Sequence, residues 1–387
     1  MFGFQGECYN VGMKTTAAIT TIIAAFAFAG AAFAANNYWT YDSDAHTISD
    51  GEWTFNATVS GTSMTVGSVV DEEGVGYPSA VSTLDFSKPV RDVSYTAYTI
   101  VTLNTQFSTS GSDKYENATA KNDGASRIGK LILPETGLAS IGAGAFGCCS
   151  ALTNVVNFLP NSVTSVGIGA FVKSASIKGD LRLIGLVGNI SKSAFSACTG
   201  IKSVEFGPSF KGTDGGNKTA PFQGCSGLTN VVFSPESSGI ALANNAFNAN
   251  ATYSQPLVLY GVVSMGRVVF GSVKVSSITF DNGFRSMNME TDYASFAKNS
   301  SLREVHFLGK PPSMQSVKWA DYVPGTDNTV TTYIYRRFNK TGEWNAYAEG
   351  GNIDMHNSKF SSEWATEPSK RPLLYIDKMA GYYISFK

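Results

Sequence analysis

Phenylalanine returns along this chain at a spacing that leaves little freedom of fold. The segments FGCCSALTNVV from Phe146, FSACTGIKSVEF from Phe195, FQGCSGLTNVVF from Phe222 and FAKNSSLREVHF from Phe296 share one pattern. Each has Phe first, Cys or Asn three residues on, an aliphatic residue at six and Val at nine, and in three of them Phe recurs at eleven. Weaker copies open at Phe171, Phe247 and Phe270, so the seven anchors follow one another at 25, 24, 27, 25, 23 and 26 residues. A further anchor, Phe107, lies 39 residues before Phe146, and the polar run Ser108–Ser126 reads as a loop that absorbs the excess. Alternation such as Val204-Glu205-Phe206 makes short strands with one side chain inward and the next outward. One repeat of this length has only a few inward residues and cannot bury them alone, so successive repeats must stack and share a continuous core. About eight such coils at roughly 4.8 Å per strand would give an array about 40 Å long.

A second signature precedes each anchor. Leu131-Ile132-Leu133-Pro134 is followed by Leu138-Ala139-Ser140-Ile141-Gly142-Ala143-Gly144-Ala145-Phe146, and Val163 to Phe171 repeats it. Gly142 and Gly167 mark a corner where a residue without Cβ fits best. Taken together, L-x-L-P, L-x-x-I-G-x-x-A-F and x-x-C-x-x-L-x-x-V-x-F closely resemble the BspA-like class of leucine-rich repeat, over roughly Leu84 to Gly309. The resemblance implies a mainly β protein with short helical or irregular segments, a right-handed solenoid of about eight coils with β-rich caps. It also implies adhesion to host or neighbouring-cell proteins. The pattern departs most at Phe247, where Pro256 falls on the expected Val, and at Phe270, whose copy is one residue short; both coils are expected to be distorted.

The two ends differ from the body. Trp53–Val59 and Met64–Val69 alternate apolar and polar residues around Ser60-Gly61-Thr62, the signature of a β-hairpin. Its expected role is to cap the first coil, since an open end exposes apolar surface and unpaired backbone; the aromatics Tyr38, Trp39, Tyr41 and Trp53 support the alternative of a binding module. After Gly309 the periodicity stops at Lys310-Pro311-Pro312, and Trp319, Trp344 and Trp364 follow in polar surroundings. Thr331–Arg336 and Leu373–Ile376 read as strands. Trp344-Asn345-Ala346-Tyr347 is similar to the x-A-Y ending of BspA-like arrays, which implies a C-terminal cap with an extension.

Met13-Lys14, the apolar run Ala17–Ala29 and the small-x-small triplet Ala32-Phe33-Ala34 form a secretory signal peptide. The run is shorter than the about 20 residues that span a bilayer and ends in small residues, which argues against an anchor. Met13 is a better start than Met1, because an acidic, Cys-containing leader does not suit an export signal. No later stretch has 18 consecutive apolar residues, so no membrane span is expected in the mature chain. The expected partition is 1–34 leader and signal peptide, 35–83 N-terminal hairpin cap, 84–309 repeat body and 310–387 C-terminal cap and extension. With 29 Lys+Arg against 30 Asp+Glu, the chain has no global field to hold a polyanion, so nucleic acid is not an expected partner.

Chemistry-bearing motifs are sparse, and the chain is expected to be no enzyme, with no cofactor or metal. Of the three histidines, His46, His306 and His356, none sits in a nucleophile motif, and His306 is expected to point outward from a strand between Val305 and Phe307. Asp354 and His356 are too few for a zinc site, and Asp50-Gly51-Glu52-Trp53 reads as a turn. Cys149, Cys198 and Cys225 share one repeat position, with Ser174 between the first two. Buried thiols are the plainer reading of the stacked Cys198 and Cys225, with a disulfide in an oxidising compartment as the alternative. Asn-x-Ser/Thr triplets at Asn56, Asn117, Asn189, Asn217, Asn250, Asn299 and Asn339 matter only in a glycosylating pathway. Gly212–Lys218 is expected to be a solvent loop.

The expected function is therefore binding by a secreted or surface protein, its partner an extracellular protein. The candidate face comprises Lys202, Glu205, Thr229, Val232, Arg303 and His306, the outward residues of the stacked strands and their neighbours. A structural spacer of an extracellular layer is one alternative, and a carbohydrate-binding protein whose aromatic ends hold a glycan is another.

Overall fold

The computed structural model describes residues 37–70, 76–111, 113–249, 251–288, 301–310, 312–315, 331–335 and 373–376. The expected signal segment, the anchor Phe296, Asn250, Asn299, Asn339, Trp319, Trp344, Trp364, Tyr347, Asp354 and His356 lie outside the described residues. The protein is mainly β. Among the described residues the helical segments are two single 3-10 turns, Tyr115–Asn117 and Asp123–Ser126, both within the expected Ser108–Ser126 loop.

The body is built from short strands that pair in parallel with the equivalent strand of the next repeat, because each repeat presents the same residues at the same height. One stack comprises Ser82–Asp85, Ile128–Ile132 and Asn154–Val156, then Gly179–Leu183, Ile201–Phe206 and Asn230–Phe233. It goes on through Leu257–Leu259, Ser277–Phe280, Glu304–Phe307, Thr331–Tyr335 and Leu373–Ile376. A second stack, built from the I-G signature, includes Gly188–Ile190, Phe210–Thr213, Ile240–Leu242, Val262–Met265, Ser286–Asn288 and Ser313–Gln315. Val204 faces Leu181 and Val231, and Ile278 faces Leu257 and Val305, so the inward positions form rows. Parallel pairing continues past Gly309 into the strands at 331–335 and 373–376.

Phenylalanine forms the spine of the core. The rings of Phe107, Phe146, Phe171, Phe195, Phe222, Phe247 and Phe270 are buried and follow one another at 6.3, 5.4, 5.3, 5.5, 5.2 and 5.2 Å. From Phe171 onward successive rings lie within 5° of parallel. The Cys position runs beside this spine. Ser174 Oγ donates to the Phe146 carbonyl at 2.7 Å, Cys198 Sγ to Phe171 at 3.0 Å and Cys225 Sγ to Phe195 at 3.1 Å. The four described cysteines are free, so Cys198 and Cys225 are thiols. Burial raises both thiol pKa values, that of Cys225 to about 12.

Two expected distortions separate here. At Pro256 the ladder between Asn230–Phe233 and Leu257–Leu259 is interrupted, since proline has no N–H to continue it. The short copy at Phe270 is not distorted, because Leu257–Leu259 pairs with Ser277–Phe280 in unbroken register. The need for glycine at Gly142 and Gly167 comes from stacking. A Cβ on Gly167 would lie 2.7 Å from the backbone of Ala143 and Gly142 in the coil below.

The N-terminal region is more than a hairpin. Thr54–Ser60 and Ser63–Val69 do pair antiparallel, but they belong to a closed ring with Trp39–Asp42, Thr47–Ser49, Val90–Asp92 and Ala97–Leu103. Closure of this six-stranded barrel comes from Val90–Asp92, which pairs in parallel with Trp39–Asp42 and antiparallel with Ala97–Leu103. Trp39, Trp53, Phe55, Met64 and Ile48 fill the interior. Asp50, fully buried, accepts from the backbone N–H groups of Glu52 and Trp53 and from Lys88 Nζ at 2.7 Å, so the Asp50–Trp53 segment is a turn held by its own carboxylate. Ala97–Leu103 also pairs with Ser140–Ile141 and so joins barrel to body.

Candidate functional site

Outward positions of the stacked strands lie side by side wherever the ladder is continuous. Glu205 faces Val232 on one side and Arg182 on the other, and Arg182 Nε contacts Glu205 Oε2 at 2.8 Å with both side chains largely in solvent. Thr229 donates its N–H and its hydroxyl to the Lys202 carbonyl at 2.7 and 3.0 Å, which places Lys202 and Thr229 next to each other. Val232 is 39% exposed, an apolar side chain in a polar row. Lys202, Glu205, Thr229 and Val232 thus form one group on the sheet of Gly179–Leu183, Ile201–Phe206 and Asn230–Phe233.

Arg303 and His306 belong to a second group, on the sheet that begins after Pro256. Arg303 is exposed, and His306 faces Thr279 and Tyr333 along the ladder. The six candidate residues therefore occupy two sheets, separated by the interruption at Pro256 and linked there by the Ser254 N–H donating to the Thr229 carbonyl at 2.9 Å.

His306 corrects the expectation of an exposed side chain, since its side chain is only 20% exposed and lies 3.4 Å from Glu304 Oε2. Burial lowers its pKa below the ordinary 6.5, partly offset by Glu304, so the imidazole is neutral at pH 7. The neighbouring strands cover an outward residue in mid-sheet more than alternation alone suggests.

Most of the aromatic residues at the N-terminal end are committed to the barrel core. Trp39 and Trp53 are fully buried and Tyr41 nearly so, inside the barrel, while Tyr38 is half-buried with the Arg91 guanidinium 4.0 Å from its ring centre. Gly212–Lys218 is likewise not a free solvent loop. Tyr115 donates its N–H to the Lys218 carbonyl, and Lys218 Nζ pairs with Glu116 at 2.8 Å. Lys173 Nζ donates to the carbonyls of Glu116 and Ala118, so the 108–126 loop straps several repeats together.

The surface of the body opens between two of its sheets. Between Asn154–Val156 and Gly179–Leu183 no ladder joins the two sheets, and a surface cleft of about 590 Å³ opens there. Its signal in the sequence is Phe158-Leu159, two residues inserted before Pro160 where the preceding repeat passes directly from Leu133 to Pro134. Among the described residues no group of three or more His, Cys, Asp and Glu side chains could hold a metal ion. Nor is any helix there long and apolar enough to cross a membrane.

Comparison with known proteins agrees with the repeat. No curated protein matches the chain. Similar solved structures include a leucine-rich repeat protein from Bacteroides ovatus, at 15% identity and TM-score 0.41 over 73% of this chain and 77% of that one. A leucine rich cell surface protein from Faecalibacterium prausnitzii aligns at 13% identity and TM-score 0.38, over 75% and 88%. The pneumococcal vaccine antigen PcpA aligns at 12% and 0.26, over 80% and 97%. The BspA type leucine rich repeat region matches in 6 copies, over residues 123–248 and 216–319. These copies span more than half of the 387 residues and coincide with the Phe spine, and the chain belongs to the BspA type leucine-rich repeat family.

Proposed function

We propose that this is an exported leucine-rich repeat protein, secreted or held at the cell surface, that binds an extracellular protein and performs no catalysis. Its body is a right-handed solenoid of about eight coils that follows the barrel, whose strands Val90–Asp92 and Ala97–Leu103 lie beyond the expected boundary at residue 84, and its parallel pairing runs on past residue 309. Residues 1–34 are removed on export. The observation that carries the reading is the register of the outward row, in which Glu205 stands beside Val232 and Lys202 beside Thr229. A partner lying across several coils meets a repeated set of polar side chains with one exposed valine among them. Each contributes little by itself, so single substitutions weaken binding modestly and combined ones abolish it. Family membership supports the same reading, because stacked repeats offer an extended surface rather than an enclosed pocket.

The test is a pull-down from extracellular material with the mature chain, identification of the retained protein, and its titration against a variant in which Lys202, Glu205, Arg303 and His306 are all Ala. Loss of affinity of at least tenfold with the fold intact is the expected result. A partner that binds the variant as tightly as the parent excludes the strand face.

A further inference from the structure

We propose that the cleft between Asn154–Val156 and Gly179–Leu183 is a binding site for a neutral, hydroxyl-rich ligand, an oligosaccharide. This site adjoins the protein-binding face, whose Glu205 pairs with the cleft residue Arg182, but the proposal does not rest on that face binding a protein.

The cleft exists because the chain leaves its repeat here. Among non-glycine residues of the body, left-handed backbone recurs mostly at fixed places, two residues before the anchor at Ser193, Asn245 and Val268 and two after it at Cys148, Lys173 and Ala197, with Gln106 and Lys218 as further exceptions. Asn157 (φ 55°) and Leu159 (φ 56°) belong to neither series. Leucine in this region is strained, and such strain persists where surrounding structure enforces it, often at ligand sites. Phe158, between them, packs edge-on against Phe171 and Phe195 at 5.3 and 6.3 Å, and thereby takes the inward place that Asn157 leaves. Asn157 instead donates Nδ2 to the Leu133 carbonyl at 3.0 Å. The strand ladder is parted, and both strand edges border an open space.

The lining selects the ligand class. Glu135, Asn161, Asp180 and Arg182 are exposed around the cleft, with Ser162 at its wall. Asp180 accepts from Ser203 through Oδ1 at 2.6 Å, which leaves Oδ2 available, and Glu135 has no ion-pair partner among the described residues. Ser162 Oγ is buried without a hydrogen-bond partner, an arrangement that a ligand hydroxyl or a water would satisfy. Carboxylates and amide carbonyls accept from hydroxyls, while the Arg182 guanidinium and the Asn161 amide donate to them. One arginine against two carboxylates is the wrong charge balance for a phosphorylated or sulfated ligand. Val155, Phe158, Leu159 and Pro160 supply an apolar floor on which a sugar ring can rest. The volume lies within the range of small-ligand sites.

The experiment uses the exported chain on an array of neutral oligosaccharides built from hexoses and N-acetylhexosamines, with sialylated oligosaccharides alongside, followed by titration of the best-retained sugar. Retention of a neutral oligosaccharide is expected, weakened at least tenfold in Asn161→Ala and in Asp180→Asn, and unchanged in an Arg303 and His306 alanine variant, whose positions lie on the other sheet. Asn161 is exposed, so Asn161→Ala keeps the test decisive if Asp180→Asn disturbs its bond to Ser203. Failure to retain any neutral oligosaccharide, retention of sialylated sugars alone, or equal affinity in the two cleft variants would each overturn the proposal.

Discussion

The barrel and the repeat body solve the problem of exposed strand edges in opposite ways. In the barrel six strands of mixed direction close on themselves, and closure removes the edge. In the body each repeat leaves an edge that the next one covers, so order passes along the stack by addition. Their aromatic cores differ accordingly. Phe55 lies at 52° to Phe86 and 88° to Phe107, a cluster without a repeat. Beyond Phe171 neighbouring rings are within 5° of parallel. Between the two the ladder untwists, at 29° for Phe107–Phe146 and 27° for Phe146–Phe171. A shape that occurs once is packed by whatever fits, whereas one that recurs must be packed by the same ring in the same pose.

The comparison breaks most visibly when one ring is removed from each region. Phe195→Ala and Phe55→Ala should each cost about 3–5 kcal/mol by chemical unfolding, because both rings are fully buried. The spread of the damage should differ. Hydrogen exchange should rise in the coils at Phe171 and Phe222 for the first variant and around the whole barrel for the second. Equal loss of protection in both regions for either variant would show that barrel and body form a single cooperative unit.

A smaller effect separates the two uses of glycine. Gly167→Ala places a Cβ against the backbone of the neighbouring coil and should destabilise by roughly 1–3 kcal/mol, with no relief from Asn at the same position. Gly61, at φ +61° in the barrel hairpin, has nothing within 4 Å of its would-be Cβ. Gly61→Ala should therefore cost only about 1 kcal/mol of backbone strain, and Gly61→Asn less, since Asn tolerates this region. Thermal melts of the four variants settle it, and an Asn rescue at Gly167 would refute the stacking explanation.

The smallest effect is a pH dependence that comes from one residue of the body. Burial holds the His306 pKa below the 6.5 of the unfolded chain, so the unfolded state binds more protons between the two values. Stability from this residue is complete above 6.5 and is lost as pH falls through that window, with no further loss below the folded-state value. His306→Gln should melt with a weaker fall between pH 7.5 and 5 than the parent. If the two fall equally, the imidazole stays neutral or titrates without consequence for folding.

How legible the molecule was depended on repetition. A 25-residue period stated seven times identified the Phe spine and the Cys position beside it. Each copy carries the same local alternation, and stacking only multiplies it. Even Pro256, read as a fault, lies where the ladder breaks, since a missing N–H is a local property. Tertiary structure alone decided what happens once. Val90–Asp92 closes the barrel by meeting Trp39–Asp42, about fifty residues earlier in the chain, and nothing periodic announces that pairing. The 108–126 strap, the half-burial of His306 and the cleft at Phe158 likewise depend on neighbours distant in sequence. A repeating pattern fixes contacts between equivalent residues, because the same interaction favours every copy. A single long-range contact is fixed only by the assembled surroundings that reward it.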